Sequence, residues 1–149
     1  MTTQRSTIVV AIRAALSGAG GPAGLTVTPR KSVPAEGVDL TAHPLTMVGR
    51  TKEQTVRATP SKTSPVVKRT LTIRLDHWAA GSDPEEALEP LLAWGTKKLA
   101  GEGWSGLAMN TSEESTEWDL DMLDQAFGHA TQTFTVDFVT KTADQEQKQ

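Results

Sequence analysis

The side chains best suited to chemistry in this sequence are three histidines. His43 precedes a proline, His77 falls on the apolar side of an alternating segment, and His129 follows a glycine. No two of them have the spacing of metal ligands, and without a single cysteine in the chain a zinc site would need carboxylates. We therefore interpret the histidines as structural residues.

Three aspartates that lie close together, Asp119, Asp121 and Asp124, could bind a divalent cation. A calcium-binding loop has a glycine at its sixth position and a bidentate glutamate at its end, and the sequence has neither. A solvated acidic surface is the favoured interpretation.

Patterns that hold phosphates or activate a nucleophile are missing as well. The Gly-rich segment 18–24 follows a predicted helix and lacks the Gly-Lys-Ser/Thr of a phosphate loop. No serine lies in a Gly-x-Ser-x-Gly elbow. We therefore predict a protein that is not an enzyme, with no catalytic residue, no cofactor and no bound metal.

Length and composition predict one domain over residues 1–149, with 37% hydrophobic residues and no cysteine. No apolar run approaches the roughly 20 residues that cross a bilayer, and the N-terminal residues lack the apolar block of a signal peptide. These features predict a soluble, non-secreted protein without a membrane partner.

Charge is divided unequally along the chain. Residues 1–75 contain 11 Lys and Arg against 3 Asp and Glu, a net charge of +8, whereas residues 76–149 contain 4 against 15, a net charge of -11. Such a chain can attract copies of itself head to tail, a contact that closes into rings. The two halves can equally well complement each other within one fold.

The elements that must position these residues begin with an amphipathic helix over 3–16, because its apolar residues recur at helical spacing. Short extended pieces are predicted at 25–29 and 43–48. The polar, basic segment 50–65 is predicted to be a flexible loop that orders only on assembly, and 142–149 a disordered tail.

The second half reads strand, helix, strand, strand. Alternation predicts a strand over 66–78, followed by a helix over 83–99 in which Asp83 is the N-cap, Pro84 the first helical residue and Glu86 the partner in a capping box. Further strands are predicted at 104–111 and 131–140. The fold class is α+β, with a mixed or antiparallel sheet, two main helices on one face and a long mobile loop.

Several of these segments together resemble one protein family. They are the strand Arg69-Thr-Leu-Thr-Ile-Arg-Leu, the helix with Leu88-Glu-Pro-Leu-Leu-Ala-Trp, the segments Gly106 to Ala108 and Glu114 to Trp118, and the final Phe134-Thr-Val-Asp-Phe-Val-Thr. In this order, over most of the chain, they resemble the tail terminator (tail completion) proteins of long-tailed phages, the family of the lambda minor tail protein U.

The resemblance implies a structural virion protein at the head-proximal end of the tail, assembled in the host cytoplasm. It implies a homo-oligomeric ring, a hexamer, that caps the tail tube protein, ends tail polymerisation and offers a surface to a head-tail connector or stopper protein. Genome DNA would pass through the lumen without sequence-specific binding. Alternatives are another neck component, such as a stopper or head-completion protein, and a monomeric peptide- or ligand-binding module.

The candidate assembly interface combines basic residues of the first half with acidic and aromatic residues of the second. We expect the former to contact the latter on a neighbouring subunit or on the tube. The residues are Arg50, Lys52, Arg57, Lys62, Glu114, Glu117, Trp118, Asp119 and Asp121. Trp78 and Trp118 are each expected to be either a core residue or an anchor at an interface.

Overall fold

The computed structural model describes residues 3–17, 21–22, 25–29, 44–57, 66–81, 83–119, 127–141 and 144–148. They form two helices, α1 (Gln4–Ser17) and α2 (Pro84–Leu99). The six strands are β1 (Thr26–Pro29), β2 (Leu45–Arg57), β3 (Val66–Ala80), β4 (Asn110–Asp119), β5 (Phe127–Lys141) and β6 (Asp144–Lys148). Neither described helix has the length and apolar character needed to cross a bilayer.

The strands form one sheet in the order β1-β2-β3-β5-β4, with β6 paired to the end of β5. The β1–β2 pair is parallel and all the others are antiparallel. The sheet is therefore mixed, and the predicted α+β class is confirmed. Its centre is the long antiparallel β3–β5 pair, which extends from Val66–Lys141 to Ala80–Phe127.

Both helices pack on one face of the sheet, as predicted. The main core cluster joins apolar residues of α1 and α2 to alternate residues of β3 and β5, among them Ile12, Leu71, Ile73, Phe134 and Val136. All five of these side chains are almost fully buried. The alternation that predicted the two strands therefore marks the face that the helices cover.

Helix α2 begins as the sequence predicts. Asp83 is the N-cap, and its side chain accepts a hydrogen bond from the backbone N–H of Glu86 at 3.4 Å. Pro84 occupies the first turn, where its missing N–H has no intrahelical partner to lose. The helix continues through the exposed Pro90 to Leu99, so Pro90 lies inside the helix.

Two predicted irregular segments are wrong in part. Residues 50–57 are not a flexible loop but the second half of β2, paired with β3 from Arg50–Ile73 to Arg57–Val67. Asp144–Lys148 forms β6 instead of a disordered tail. In both, backbone pairing with a long neighbouring strand outweighs a polar composition that predicts no strand. Residues 58–65 lie outside the described residues.

The strand predicted over 104–111 is also wrong, because its first half is a turn and β4 begins only at Asn110. Trp104 and Ser105 have φ values of 52° and 58°, a left-handed conformation that L residues rarely adopt. The turn is fixed by the buried indole Nε1 of Trp104, which donates a hydrogen bond to Thr111 Oγ1 at 2.8 Å. Alternation alone does not reveal such an anchor.

Candidate assembly surface

The first half of β2 is bordered by β1, which pairs only with Leu45 to Val48. From Gly49 to Arg57, the described pairing of β2 is with β3 alone, so this stretch forms an open edge of the sheet. A bulge between Arg50 and Lys52 interrupts its register. Both of these side chains are exposed, and neither makes an ion pair within the part of the chain that the structure describes.

Glu53, the acidic residue on the same edge, already forms ion pairs with Arg5 and Arg69 of its own chain. Its carboxylate accepts hydrogen bonds from Arg5 at 2.6 and 2.7 Å and from Arg69 at 2.9 Å. Burial alone would raise the pKa of Glu53, but the hydrogen bonds and charges of Arg5 and Arg69 outweigh it and hold that pKa below its usual value. Among the described side chains of this edge, the charges that remain for an external partner are therefore those of Arg50 and Lys52.

The opposite border of the described sheet is strand β4, which pairs only with β5 over Asn110 to Asp119. It contains four acidic residues and no basic one: Glu113, Glu114, Glu117 and Asp119. All four are exposed, and Trp118 between them is 44% exposed. The register of β4 is also interrupted by a bulge, between Glu113 and Ser115.

Glu113 is an acidic residue of β4 that forms hydrogen bonds within its own chain. It accepts hydrogen bonds from Gln132 Nε2 at 3.0 Å, from Thr96 Oγ1 at 3.1 Å and from Thr116 Oγ1 at 3.0 Å. Burial acts to raise the pKa of Glu113, yet these hydrogen bonds lower it overall. Among the described residues, Glu114 and Glu117 form neither a hydrogen bond nor an ion pair through their side chains.

The two charged edges lie at the same height in the sheet. Arg50 pairs with Ile73, Ile73 with Phe134, and Phe134 with Glu113, so Arg50 and Glu113 end one row across four strands. Arg50 is exposed at the β2 end of this row, whereas the carboxylate of Glu113 at the β4 end accepts hydrogen bonds from Gln132 and Thr96 of its own chain.

The charged and aromatic edge residues also fall into two groups by face. Arg50 and Trp118 pair with Ile73 and Ala130, which face the helices. Lys52 and Glu117 pair with Thr72 and Thr131, which face away from them. Each face of the sheet therefore combines a cation on the β2 edge with acidic or aromatic residues on the β4 edge.

A pocket of about 370 Å³ lies beside the basic edge, on the face that the helices cover. Its walls are the start of α1, with Thr3, Arg5 and Ser6, and the segment of β2 from Arg50 to Glu53. The pocket is polar on both walls and has Leu71 at its base. It has room for a side chain from another molecule.

His77 lies in the interior of the sheet and has a hydrogen-bond partner at each ring nitrogen. It is fully buried, its Nδ1 accepts from Thr46 Oγ1 at 2.8 Å, and its Nε2–H donates to Gln132 Oε1 at 3.0 Å. Burial lowers the pKa of His77 to about 4, so the ring is neutral at pH 7. Gln132 then donates to the backbone carbonyl of Leu92 at 3.2 Å, which joins β2, β3 and β5 to α2.

The third histidine lies on the other face of the sheet. His129 Nε2 donates to Asp76 Oδ1 at 2.9 Å, and its ring stacks on Trp78 with centroids 4.1 Å apart. Burial acts to raise the pKa of Asp76, but His129 and Arg74 outweigh it and hold the pKa low. Trp78 is only 5% exposed, so of its two predicted roles the core role is the observed one.

The structure brings the predicted interface residues to two edges rather than to one surface. Arg50 and Lys52 lie on the β2 edge, and Glu114, Glu117, Trp118 and Asp119 lie on the β4 edge. Arg57 ends β2, with only its backbone described, whereas Lys62 and Asp121 lie outside the described residues. Sequence reasoning missed the placement of these charges at opposite ends of a sheet, because it predicted 50–65 to be a loop.

Within the described ranges, no three His, Asp or Glu side chains converge on a position that could hold a metal ion. The Asp76–His129 pair is half of the machinery of a nucleophilic triad, but no described hydroxyl is hydrogen-bonded to the second ring nitrogen of His129. Among the described residues, the two charged edges are therefore the candidate functional surface.

Comparisons with known proteins give similarity to solved structures but to no known family. No protein-family model and no curated protein matches the chain. Among solved structures, a chain of the virion of a native gene transfer agent particle is similar over 91% of this chain and 90% of that chain, with 13% sequence identity and a TM-score of 0.46. A similarity at this level of identity and TM-score does not establish a shared function.

Proposed function

We propose that this chain is a structural virion protein that joins copies of itself into a ring at the head-proximal end of a phage tail. The ring caps the tail tube, ends its polymerisation and offers a surface to a head-tail connector or stopper protein. The family resemblance of the sequence suggests this function. The observation that carries it is the pair of open sheet edges, basic at Arg50 and Lys52 and acidic at Glu114 and Glu117.

Opposite charges at the two ends of one sheet favour association of copies in one direction. The basic edge of each copy attracts the acidic edge of the next, and repeated head-to-tail contacts close into a ring when the rotation between copies allows it. A ring formed in this way has two different flat sides. One side can match the tube while the other does not, so growth stops at the ring.

The proposal is tested by light scattering and negative-stain microscopy of the pure protein, alone and with polymerised tail tubes. Rings, or caps on tube ends, are expected. A monomer that does not bind tube ends would contradict the proposal and favour a peptide- or ligand-binding module. Binding to filled heads but not to tubes would favour a stopper or head-completion protein instead.

A variant in which the four basic candidates Arg50, Lys52, Arg57 and Lys62 are all replaced by Ser tests the electrostatic part of the proposal. It is expected to assemble less than the wild type, whose own assembly should fall at high salt, because exposed charges are screened within about 10 Å at 0.1 M. Lys97→Ser, which removes one exposed cation from α2, is the matched control. Assembly of the quadruple variant equal to that of the control would contradict the role of these charges.

A further inference from the structure

We infer that copies of this chain join through their sheets, with strand β4 of one copy alongside the open half of β2 of the next, residues 49–57. The inference deepens the proposed function by naming the interface, and it rests on that function only for the existence of self-association. The partner is a second copy of the chain. Three features of the described residues support it.

The first feature is that both edges lack a neighbouring strand among the described residues. Among the described strands, residues 49–57 of β2 pair only with β3, and β4 pairs only with β5. An open strand edge is a template for another strand. Rotation about an axis that runs along the strands keeps their direction, and β2 and β4 run in opposite directions within the sheet. The new pair would therefore be antiparallel, like most pairs in the sheet.

The second feature is the sign of the charges, which selects unlike edges. Two copies of β4 placed side by side would bring Glu114 and Glu117 against the same residues, and two β2 edges would bring Arg50 and Lys52 together. Like charges on adjacent strands are destabilising, whereas opposite charges attract. A two-fold dimer through either edge is therefore disfavoured, and the head-to-tail contact is favoured.

The third feature is that the matching residues lie on matching faces. When one sheet continues into the next, the helices of both copies lie on the same side. Lys52 and Glu117 lie together on the opposite side. On the helix side, the half-exposed Trp118 of one copy lies toward Arg50 and the 370 Å³ pocket of its neighbour.

This interface would explain why Trp118 is half-exposed in a single copy, because the neighbouring copy would cover it. The pocket beside Arg50 would receive the indole, and the guanidinium would lie over its face in a cation–π contact. Trp and Arg are also the side chains that most often dominate interface energetics. The charges would select the partner edge, and Trp118 would anchor it.

Disulfide trapping tests the interface directly, because the wild-type chain has no cysteine. Lys52→Cys is combined in turn with Ser112→Cys, Ser115→Cys or Glu117→Cys, three β4 positions on the same face as Lys52. Mild oxidation at millimolar protein should give a ladder of covalent dimers, trimers and larger species in at least one pair. The pair with the highest yield reports the register, because a disulfide requires Cα atoms about 4.4–6.8 Å apart.

The controls separate this interface from random collision and from a two-fold dimer. Lys52→Cys combined with Ala93→Cys, an exposed position on α2, should give no ladder above background. Lys52→Cys alone should give no dimer, because like edges repel. Ladders no stronger than this background from all three edge pairs, or efficient dimers from Lys52→Cys alone, would overturn the inference.

Two further measurements keep the interface and the function apart. Trp118→Ala should weaken self-association at least tenfold, while Val10→Ala, which shortens an exposed apolar side chain on α1, should leave it unchanged. Equal association of both variants would overturn the role of Trp118. A ladder without tube capping would retain the interface and reject the terminator function. Capping of tubes by a protein that forms no ladder would reject the interface and retain the terminator function.

Discussion

Gln132 lies directly over Gly95, so closely that a Cβ added at position 95 would collide with its Oε1. The same oxygen accepts the hydrogen bond of His77. The missing side chain of Gly95 therefore lets α2 approach the sheet where the buried network of Gln132 reaches the helix.

Gly95→Ala should destabilise the fold by up to about 2 kcal/mol. The added methyl also lies 3.2 Å from Leu75 Cδ1, and overpacking of this kind costs about 1–3 kcal/mol, more than the roughly 1 kcal/mol that alanine gains over glycine in a helix. Urea unfolding measures the difference. Gly81→Ala is the control, because its methyl would meet Ala87 Cβ at an ordinary 3.6 Å. Equal stability of the two variants would contradict the tight contact.

Stability should fall as the pH is lowered from about 6.5 toward 4, because of His77. Its pKa in the folded chain is about 4, below the ordinary value of 6.5, so the unfolded chain binds the proton first. The stabilisation is complete above pH 6.5, is lost as the pH falls to the folded pKa, and amounts to at most about 3 kcal/mol.

Urea unfolding at pH 7 and pH 5 measures this dependence, in the wild type and in His77→Gln. The variant should be less stable at pH 7, since Thr46 and Gln132 lose their partner, but its stability should change less between the two pH values. The same pH dependence in both proteins would show that His77 is not its source. The lowered pKa values of Asp76 and Glu53 act at lower pH, below their ordinary values near 4.

Glu53→Gln should destabilise the fold by about 2–4 kcal/mol. Arg69 is buried, with only 8% of its surface exposed. The substitution removes the carboxylate that compensates its charge. Breaking one side of a buried ion pair is costly because the other charge remains buried. Thermal unfolding measures the loss, and Glu89→Gln, an exposed position on α2, should change stability by no more than about 0.5 kcal/mol. A loss as small as that of the control would contradict the network.

Ser105→Gly should stabilise the fold by about 1 kcal/mol. Ser105 is exposed and has a φ of 58°, a conformation that costs a non-glycine residue about 1–2 kcal/mol. For a chain of this length, the melting temperature should rise by a few degrees. Ser112→Gly, at an exposed position in β4, should lower it instead, because glycine weakens a strand interior. A decrease in both variants would contradict the strained turn.

The sequence predicted the elements that have a periodic or local residue pattern. Alternation identified β3 and β5 and the face that the helices cover, and the Asp83–Pro84–Glu86 pattern located the start of α2. It did not predict the second half of β2 or strand β6, because pairing with a long neighbour holds these polar segments in the sheet. The turn at Trp104 depends on a hydrogen bond to Thr111, seven residues away, which local pattern does not encode.

The candidate surface was predicted by composition but not by position. The division of charge between the two halves of the chain indicated basic and acidic residues as the candidates. The structure shows that the described ones on β2 and β4 occupy opposite edges of one sheet. That placement depends on strand order, because β3 and β5 separate β2 from β4. Strand order is a property of the whole chain, and charge counting cannot supply it.

The measurement that tests head-to-tail assembly most directly mixes two charge-reversed variants and follows their mass at low salt. One carries Arg50→Glu and Lys52→Glu, so both of its edges are acidic; the other carries Glu114→Lys and Glu117→Lys, so its β2 edge stays basic and the two reversed positions of β4 become basic. We expect the wild type to associate, each variant alone to remain monomeric, and the mixture to form species with an even number of subunits in which the two alternate. A monomeric mixture, or association of either variant alone as strong as that of the wild type, would contradict the account.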